Sequence, residues 1–259
     1  VKEPENPYLL ISEKPAWDLL KRWRALDEHL AHYSFRQACG MAPHPGEPAF
    51  LAWAETQDIR FSDLIGTNET AFQTLPVPVP VDLSVGSTFL GHATEYTDPD
   101  RLAFELGCLS RQCKEAVPAG GYLEYRAKPF LKTHEPGMET QGAVRAEGNS
   151  GPIYRSLHLG TDVWADPGTP VHALFDGWVV EARMEGNDGP AGSAALVLAH
   201  RTTSGMRFYT LYGGLDPECL NRLDKDRTVE KRERLGRVAP RTAGNPRVPH
   251  LHFQMMLDL

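Results

Sequence analysis

"LHLGTDVW", residues 157–164, sets a histidine and an aspartate four apart with a glycine midway, and runs on into residues that favour a strand. In a straight strand, residues four apart are separated by about 13 Å. His158 and Asp162 therefore reach a common point only if the chain bends between them. Gly160 permits a bend, because glycine tolerates positive φ and close backbone approach. "PHLHFQ", residues 249–254, is the complement of this stretch almost a hundred residues later. In a strand, His250 and His252 share a face about 7 Å apart.

These two stretches make a candidate metal site. Catalytic zinc takes three protein ligands from histidine, cysteine and carboxylate and keeps a fourth position open for water. One histidine of the H-x-H pair can bind the ion while the other reaches a zinc-bound water or the substrate, and a neutral imidazole suits proton transfer there. Either motif alone arises by chance in many chains. Their joint occurrence in a strand-rich stretch carries the reading.

Outward from these motifs, the texture from Ile153 onward is that of short strands. "GTPVHALFDGWVVEARM" (168–184) has β-branched and aromatic residues broken by Gly and Pro, and "SAALVLAHRTTSGMRFYTLYGGL" (193–215) shows two apolar runs around a Thr-Thr-Ser-Gly turn. "RVPHLHFQMML" (247–257) alternates again. Short strands joined by hairpin turns predict an antiparallel, all-β unit. The charged "LDKDRTVEKRERLGRV" (223–238) reads as a solvated face or short helix.

The first half reads as helical. From Pro15 to Met41, Trp17, Leu20, Trp23, Leu26, Leu30 and Tyr33 recur at three- and four-residue steps, one face of an amphipathic helix. A shorter helix is predicted over Pro48–Thr56, and a third over Pro99–Val117 with Asp98 as its cap and Gly120 and Gly121 after its end. Trp17, Trp23 and Trp53, at helical spacing, are read as core. Between the last two helices, "LPVPVPVDLSVGS" (75–87) alternates proline, which cannot donate to a ladder. Pro76–Pro80 is thus expected to be an extended linker or edge, with Val81–Val85 free to enter a sheet. Residues 132–152, rich in Gly, Glu and Thr, read as a loop or boundary. The expected fold class is α+β: a helical region over 1–74, a connecting α/β region over 75–152, and a mainly antiparallel β domain over 153–259.

Composition narrows the function. The 259 residues are 41% hydrophobic with a net charge of −7, and no basic run of five or more occurs, which argues against nucleic acid. No stretch of 18 consecutive apolar residues predicts a membrane span. The four cysteines, Cys39, Cys108, Cys113 and Cys219, are too scattered for a disulfide framework and read as free thiols of a reducing compartment. "VKEPENPYLL" has neither initiator Met, basic leader nor apolar core, and the chain stops just after a strand-like run. A piece of a longer protein is the expectation.

"HLGTDVWADPGTPVHALFDGWVV" (158–180), "LVLAH" (196–200), "FYTLYGGL" (208–215) and "PHLHFQ", in this order, resemble the lysostaphin-like, LytM-type zinc metallopeptidases over residues 153–259. The resemblance implies a compact antiparallel sheet of the lysostaphin type (a duplicated hybrid motif) with the site in a groove. It implies that His158, Asp162 and His252 hold Zn2+ and that His250 assists catalysis. It also implies cleavage of peptide bonds of bacterial wall cross-links, beside glycine or D-alanine. One position departs: where the family's T-x-Y-x-H-L strand has a second catalytic histidine, this chain has Gly214. Loss of such a group costs about 10² to 10⁴ in rate. His200 and His172 lie nearby in sequence but read as structural.

"ACGMAPHPGEPAFLAWA" (38–54) and "VDLSVGSTFLG" (81–91) resemble the segment before this module in bacterial proteins that fuse it to an aminoglycoside-phosphotransferase-like kinase and a class III aminotransferase. That resemblance implies covalently linked partner domains and a cytoplasmic location. Two functions are therefore expected. One is a zinc-dependent metallopeptidase-like hydrolase that cleaves a small peptide or amide with zinc-bound water as nucleophile. The alternative is a catalytically degenerate zinc-binding module that serves as scaffold or presents substrate.

Overall fold

Ala194–Arg201 (β10) is buried at every position but the last, which places it at the centre of the molecule. Only a strand covered on both faces tolerates so continuous an apolar run. The structure is a computed structural model. It describes residues 44–66, 77–83, 89, 99–112, 116–122, 124–125, 143–144, 153–154, 157–185, 192–242 and 247–258. The chain divides into two compact units, Val1–Glu47 and Pro48–Leu259. Every described strand belongs to the second.

The described residues are mainly β. An eight-stranded sheet contains, in spatial order, Val77–Pro80 (β1), Ala116–Gly120 (β2), Thr161–Val163 (β7), Leu251–Met256 (β14), Arg207–Leu215 (β11), β10, Gly177–Met184 (β9) and Thr228–Val229 (β12). All its pairings are antiparallel except β1 with β2. The short strands Glu124–Tyr125 (β3) and Leu157–His158 (β6) pair with each other, as do Ala143–Val144 (β4) with Ile153–Tyr154 (β5) and Pro170–His172 (β8) with Arg234–Arg237 (β13).

β10 and β11 form the hairpin anticipated around Thr-Thr-Ser-Gly. Gly205 takes φ +85°, and its N–H donates to Thr202 O at 2.9 Å. Near its other end β11 bulges: Ala194 and Leu196 of β10 face Leu215 and Tyr212, so β11 carries one extra residue there. Gly214 has φ +76°, the left-handed conformation that a bulge of this kind demands and glycine supplies.

The core lies between β10, β11 and the covering elements. Helix Glu47–Ala54 (α1) lays Phe50 and Trp53 on Phe208, with ring centroids 5.1 and 5.0 Å apart, and Trp53 also meets Phe175 at 5.4 Å. A second cluster joins Leu102 and Leu106 of helix Pro99–Gln112 (α2) to Val81, Leu83 and Trp164. Val248 packs against it, which fixes the approach to His250.

Several expectations change. The helix ending at Val117 stops by Gln112, and Ala116 and Val117 belong to β2, where they pair with Val77 and Pro78 of β1. The proline run is indeed an extended edge, but Val77–Pro80 is the strand, while Val81–Leu83 leaves it. Prolines are tolerated there because β1 pairs on one side only. Within 132–152, taken as loop, Ala143–Val144 is a strand. The charged excursion holds β12 and β13 rather than a helix; Val229, Leu235 and Val238 inside it are buried. The helix expected over Pro15–Met41, with Trp17 and Trp23, lies outside the described residues, as do Cys39 and Cys113. Cys108 and Cys219 are free thiols.

Candidate metal centre

One row of residues runs across four strands of the sheet. Gly120 of β2 pairs with Asp162 of β7, Asp162 with His252 of β14, and His252 with Gly213 of β11. Two side chains able to bind metal thus stand side by side, flanked on each side by a residue with no side chain. His158 joins them from β6, just before the turn into β7.

The three donor atoms form a nearly equilateral triangle. His158 Nε2 lies 3.2 Å from Asp162 Oδ1 and 3.0 Å from His252 Nδ1, and His252 Nδ1 lies 3.1 Å from Asp162 Oδ1. Ligands at zinc's usual bond lengths in a tetrahedron stand roughly 3.3 Å apart, so the triangle is close to one face of such a site. Proton bookkeeping leads to the same conclusion. His158 Nδ1–H donates to Gly121 O at 2.6 Å, a carbonyl that only accepts, so Nε2 carries a lone pair. The Asp162 carboxylate is also an acceptor. Three convergent atoms with at most one proton among them suit a cation. His158, Asp162 and His252 can therefore bind a metal ion. The Gly121 carbonyl fixes the His158 tautomer as an outer-shell partner does in metal sites.

Gly160 acts differently from expectation. Its φ is not positive, so the bend between His158 and Asp162 uses ordinary backbone. Its importance is close approach: a Cβ there would stand 2.4 Å from His252 Cε1 and 2.6 Å from His252 Nε2. The glycine makes room for the third ligand's ring.

His250 precedes β14 and reaches the same centre, with Nε2 3.9 Å from Asp162 Oδ1. Its Nδ1–H donates to Val248 O at 2.6 Å, which leaves Nε2 on the Asp162 side of the ring. Burial pushes this imidazole below the ordinary histidine range, against the pull of the Asp162 carboxylate. A neutral ring with its lone pair on Nε2 can accept a proton.

His200 and His172, the two that lie near these motifs in sequence, are not part of the donor group. His200 is fully buried, with Nδ1 on Asp176 O at 2.9 Å and Nε2 on the Thr210 hydroxyl at 2.7 Å. Both nitrogens are satisfied, so the ring is a structural strut. His172 packs its ring on Gly66, where a Cβ would come within 2.2 Å of Cε1. A side chain does not fit at Gly214, where a Cβ would meet His250 O at 2.2 Å. Sequence reading missed Gly121, Gly213 and Glu185, whose carboxylate accepts from Gly214 N–H at 3.1 Å. Their roles depend on strand register, and the Gly-Gly pair at 213–214 was the one local sign of it.

Residues 156–258 match peptidase family M23. Comparison with curated proteins gave no match. Among solved structures, the chain is similar to a zinc-containing peptidase from Vibrio cholerae, at 25% identity over 45% of this chain and 32% of that one, with a TM-score of 0.29. The solution structure of lysostaphin aligns at 24% identity over 46% of this chain and 42% of that one, TM-score 0.31. The lysostaphin catalytic domain from Staphylococcus simulans aligns at 25% identity over 44% of this chain and 74% of that one, TM-score 0.29. The chain spans less than half the length of the first two. The family match and the donor triangle together make residues 156–258 a metallopeptidase-like segment. Among the described residues, no helix is long and apolar enough to cross a membrane.

Proposed function

We propose that residues 153–259 form a zinc-dependent hydrolase module that cleaves a small peptide or amide. The observation that carries this reading is the triangle of His158 Nε2, Asp162 Oδ1 and His252 Nδ1, with sides of 3.0–3.2 Å. Zinc held by these atoms supplies Lewis-acid polarisation of the amide carbonyl and activation of water.

The chain's own residues do the remaining work. Gly121 O and Val248 O hold the rings of His158 and His250 in one tautomer each. His250 Nε2 takes the proton of the attacking water and returns it to the leaving amine, a role worth about 10² to 10⁴ in rate.

The second reading, a zinc-binding module without turnover, has an observation of its own. Gly214 is committed to a bulge and cannot present an imidazole there. In that case the module presents substrate to, or packs against, linked kinase-like and aminotransferase domains in the cytoplasm, a setting that free Cys108 and Cys219 suit.

Metal analysis and a peptide panel separate these readings. About one zinc per chain, with chelator-sensitive cleavage of glycine- or D-alanine-containing peptides, supports the hydrolase. One zinc with no cleavage supports the module. A chain that takes up no zinc refutes both.

A further inference from the structure

Beside the donor triangle stands one acidic group that the metal reading leaves unused. Glu185 follows β9, and its main-chain N–H donates to Ser193 O at 2.9 Å. Its side chain receives two hydrogen bonds, from Ser193 Oγ at 2.6 Å and from Gly214 N–H at 3.1 Å. Both fall on Oε2. Oε1 points into the room above Gly213, where a Cβ would stand 2.8 Å from it and 3.4 Å from His252 Cβ. Gly213 is the register partner of His252. Glu185 Oε1 is therefore beside a metal ligand, in space left by a glycine.

No basic side chain among the described residues pairs with this carboxylate. The two donors it has are neutral, and a glutamine oxygen can accept both, though less strongly. The negative charge is thus not needed to hold the bulge. An anion drawn partly out of water, with one oxygen uncommitted, gains most from a cationic donor.

We propose that Glu185 contacts substrate and binds a protonated amino group, so that the site prefers peptides or amides with an unblocked amine near the bond held at the metal. A carboxylate anchors an ammonium through charge-assisted hydrogen bonds, which an acylated nitrogen cannot match. Specificity then comes from the difference between the two forms. This inference rests on the metal-site reading and narrows its substrate class.

The test uses the zinc-loaded full chain and two metal-seeking probes, glycylglycine hydroxamate and its N-acetylated form, with affinities read by titration calorimetry. The wild type is expected to bind the free amine about tenfold tighter, equivalent to ~1.4 kcal/mol. Glu185→Gln, which keeps the Ser193 and Gly214 hydrogen bonds, is expected to erase that preference by weakening the free amine alone, with zinc content unchanged. Equal affinity for the two probes in the wild type, or a preference that survives Glu185→Gln, overturns the proposal while leaving the metal site standing. Failure of both probes to bind the zinc-loaded chain overturns this inference alone, whereas a chain without zinc removes the metal-site reading and this inference together.

Discussion

Asp162 and His252 are direct partners across the β7–β14 ladder, with Oδ1 and Nδ1 3.1 Å apart. Two of the three metal-binding side chains are thereby fixed by strand pairing, and the sheet has only to deliver His158. Asp162→Ala should therefore weaken zinc binding beyond the roughly 10–100-fold that outer-shell changes cost. Because Asp162 is buried beside two imidazoles that lose their partner, the melting temperature should fall as well. Competitive zinc titration with a chromophoric chelator, read beside a melting curve, checks both statements.

Gly160→Ala should be more damaging than a methyl group usually is. The new carbon would meet the His252 ring at 2.4 Å and Phe253 O at 2.8 Å. Overpacking of this kind costs about 1–3 kcal/mol. The ring has to move, so zinc affinity should fall along with the melting temperature. An alanine variant that keeps wild-type zinc affinity would contradict the close-approach account.

Gly214→His should not restore a family-like active site. Its φ of +76° strains any residue with a side chain, and the Cβ would strike His250 O at 2.2 Å. A loss of about 1–3 kcal/mol is expected from the conformation alone. Denaturant melts measure the loss, and the peptide panel should show no gain in cleavage.

His200 should make stability depend on pH. Burial lowers its pKa from 6.5, despite the favourable carbonyl of Asp176, so the folded ring is neutral. Above pH 6.5 the unfolded ring is neutral too, and this contribution to stability is complete. As pH falls through 6.5, the unfolded chain binds a proton that the folded chain refuses. Stability then drops by up to about 1.4 kcal/mol per pH unit until the folded pKa is reached. Melting curves between pH 7.5 and 5 should fall less steeply for His200→Gln than for the wild type.

The grouping of the donor side chains was easier to read than the architecture. His158, Asp162 and His252 were legible as a group because a metal site needs particular side chains, and those leave a spelling that a strand or helix does not require. The hairpin at Thr202–Gly205 was legible for a similar reason, since a turn needs its glycine. β2 was harder to see. Ala116–Gly120 continues the apolar texture of the preceding helix, and only its pairing with Val77–Pro80 on one side and with Asp162 and Val163 on the other makes it a strand. Gly160 was noticed for the right position and the wrong cause: a local reading cannot know which distant ring will pass over a glycine. Glu185 had no signature at all, because a lone acid on a strand end is ordinary until the fold sets an empty glycine next to it.

The carbonyl that orients His158 comes from Gly121, thirty-five residues upstream of the stretch that matches the peptidase family. β2, which carries the chain to that carbonyl, also seals the flank of β7. An excision begun at residue 153 would leave that flank raw and let the His158 ring swing. The smallest portable version of this centre is consequently larger than its family signature, and anyone transplanting it should cut ahead of Val77.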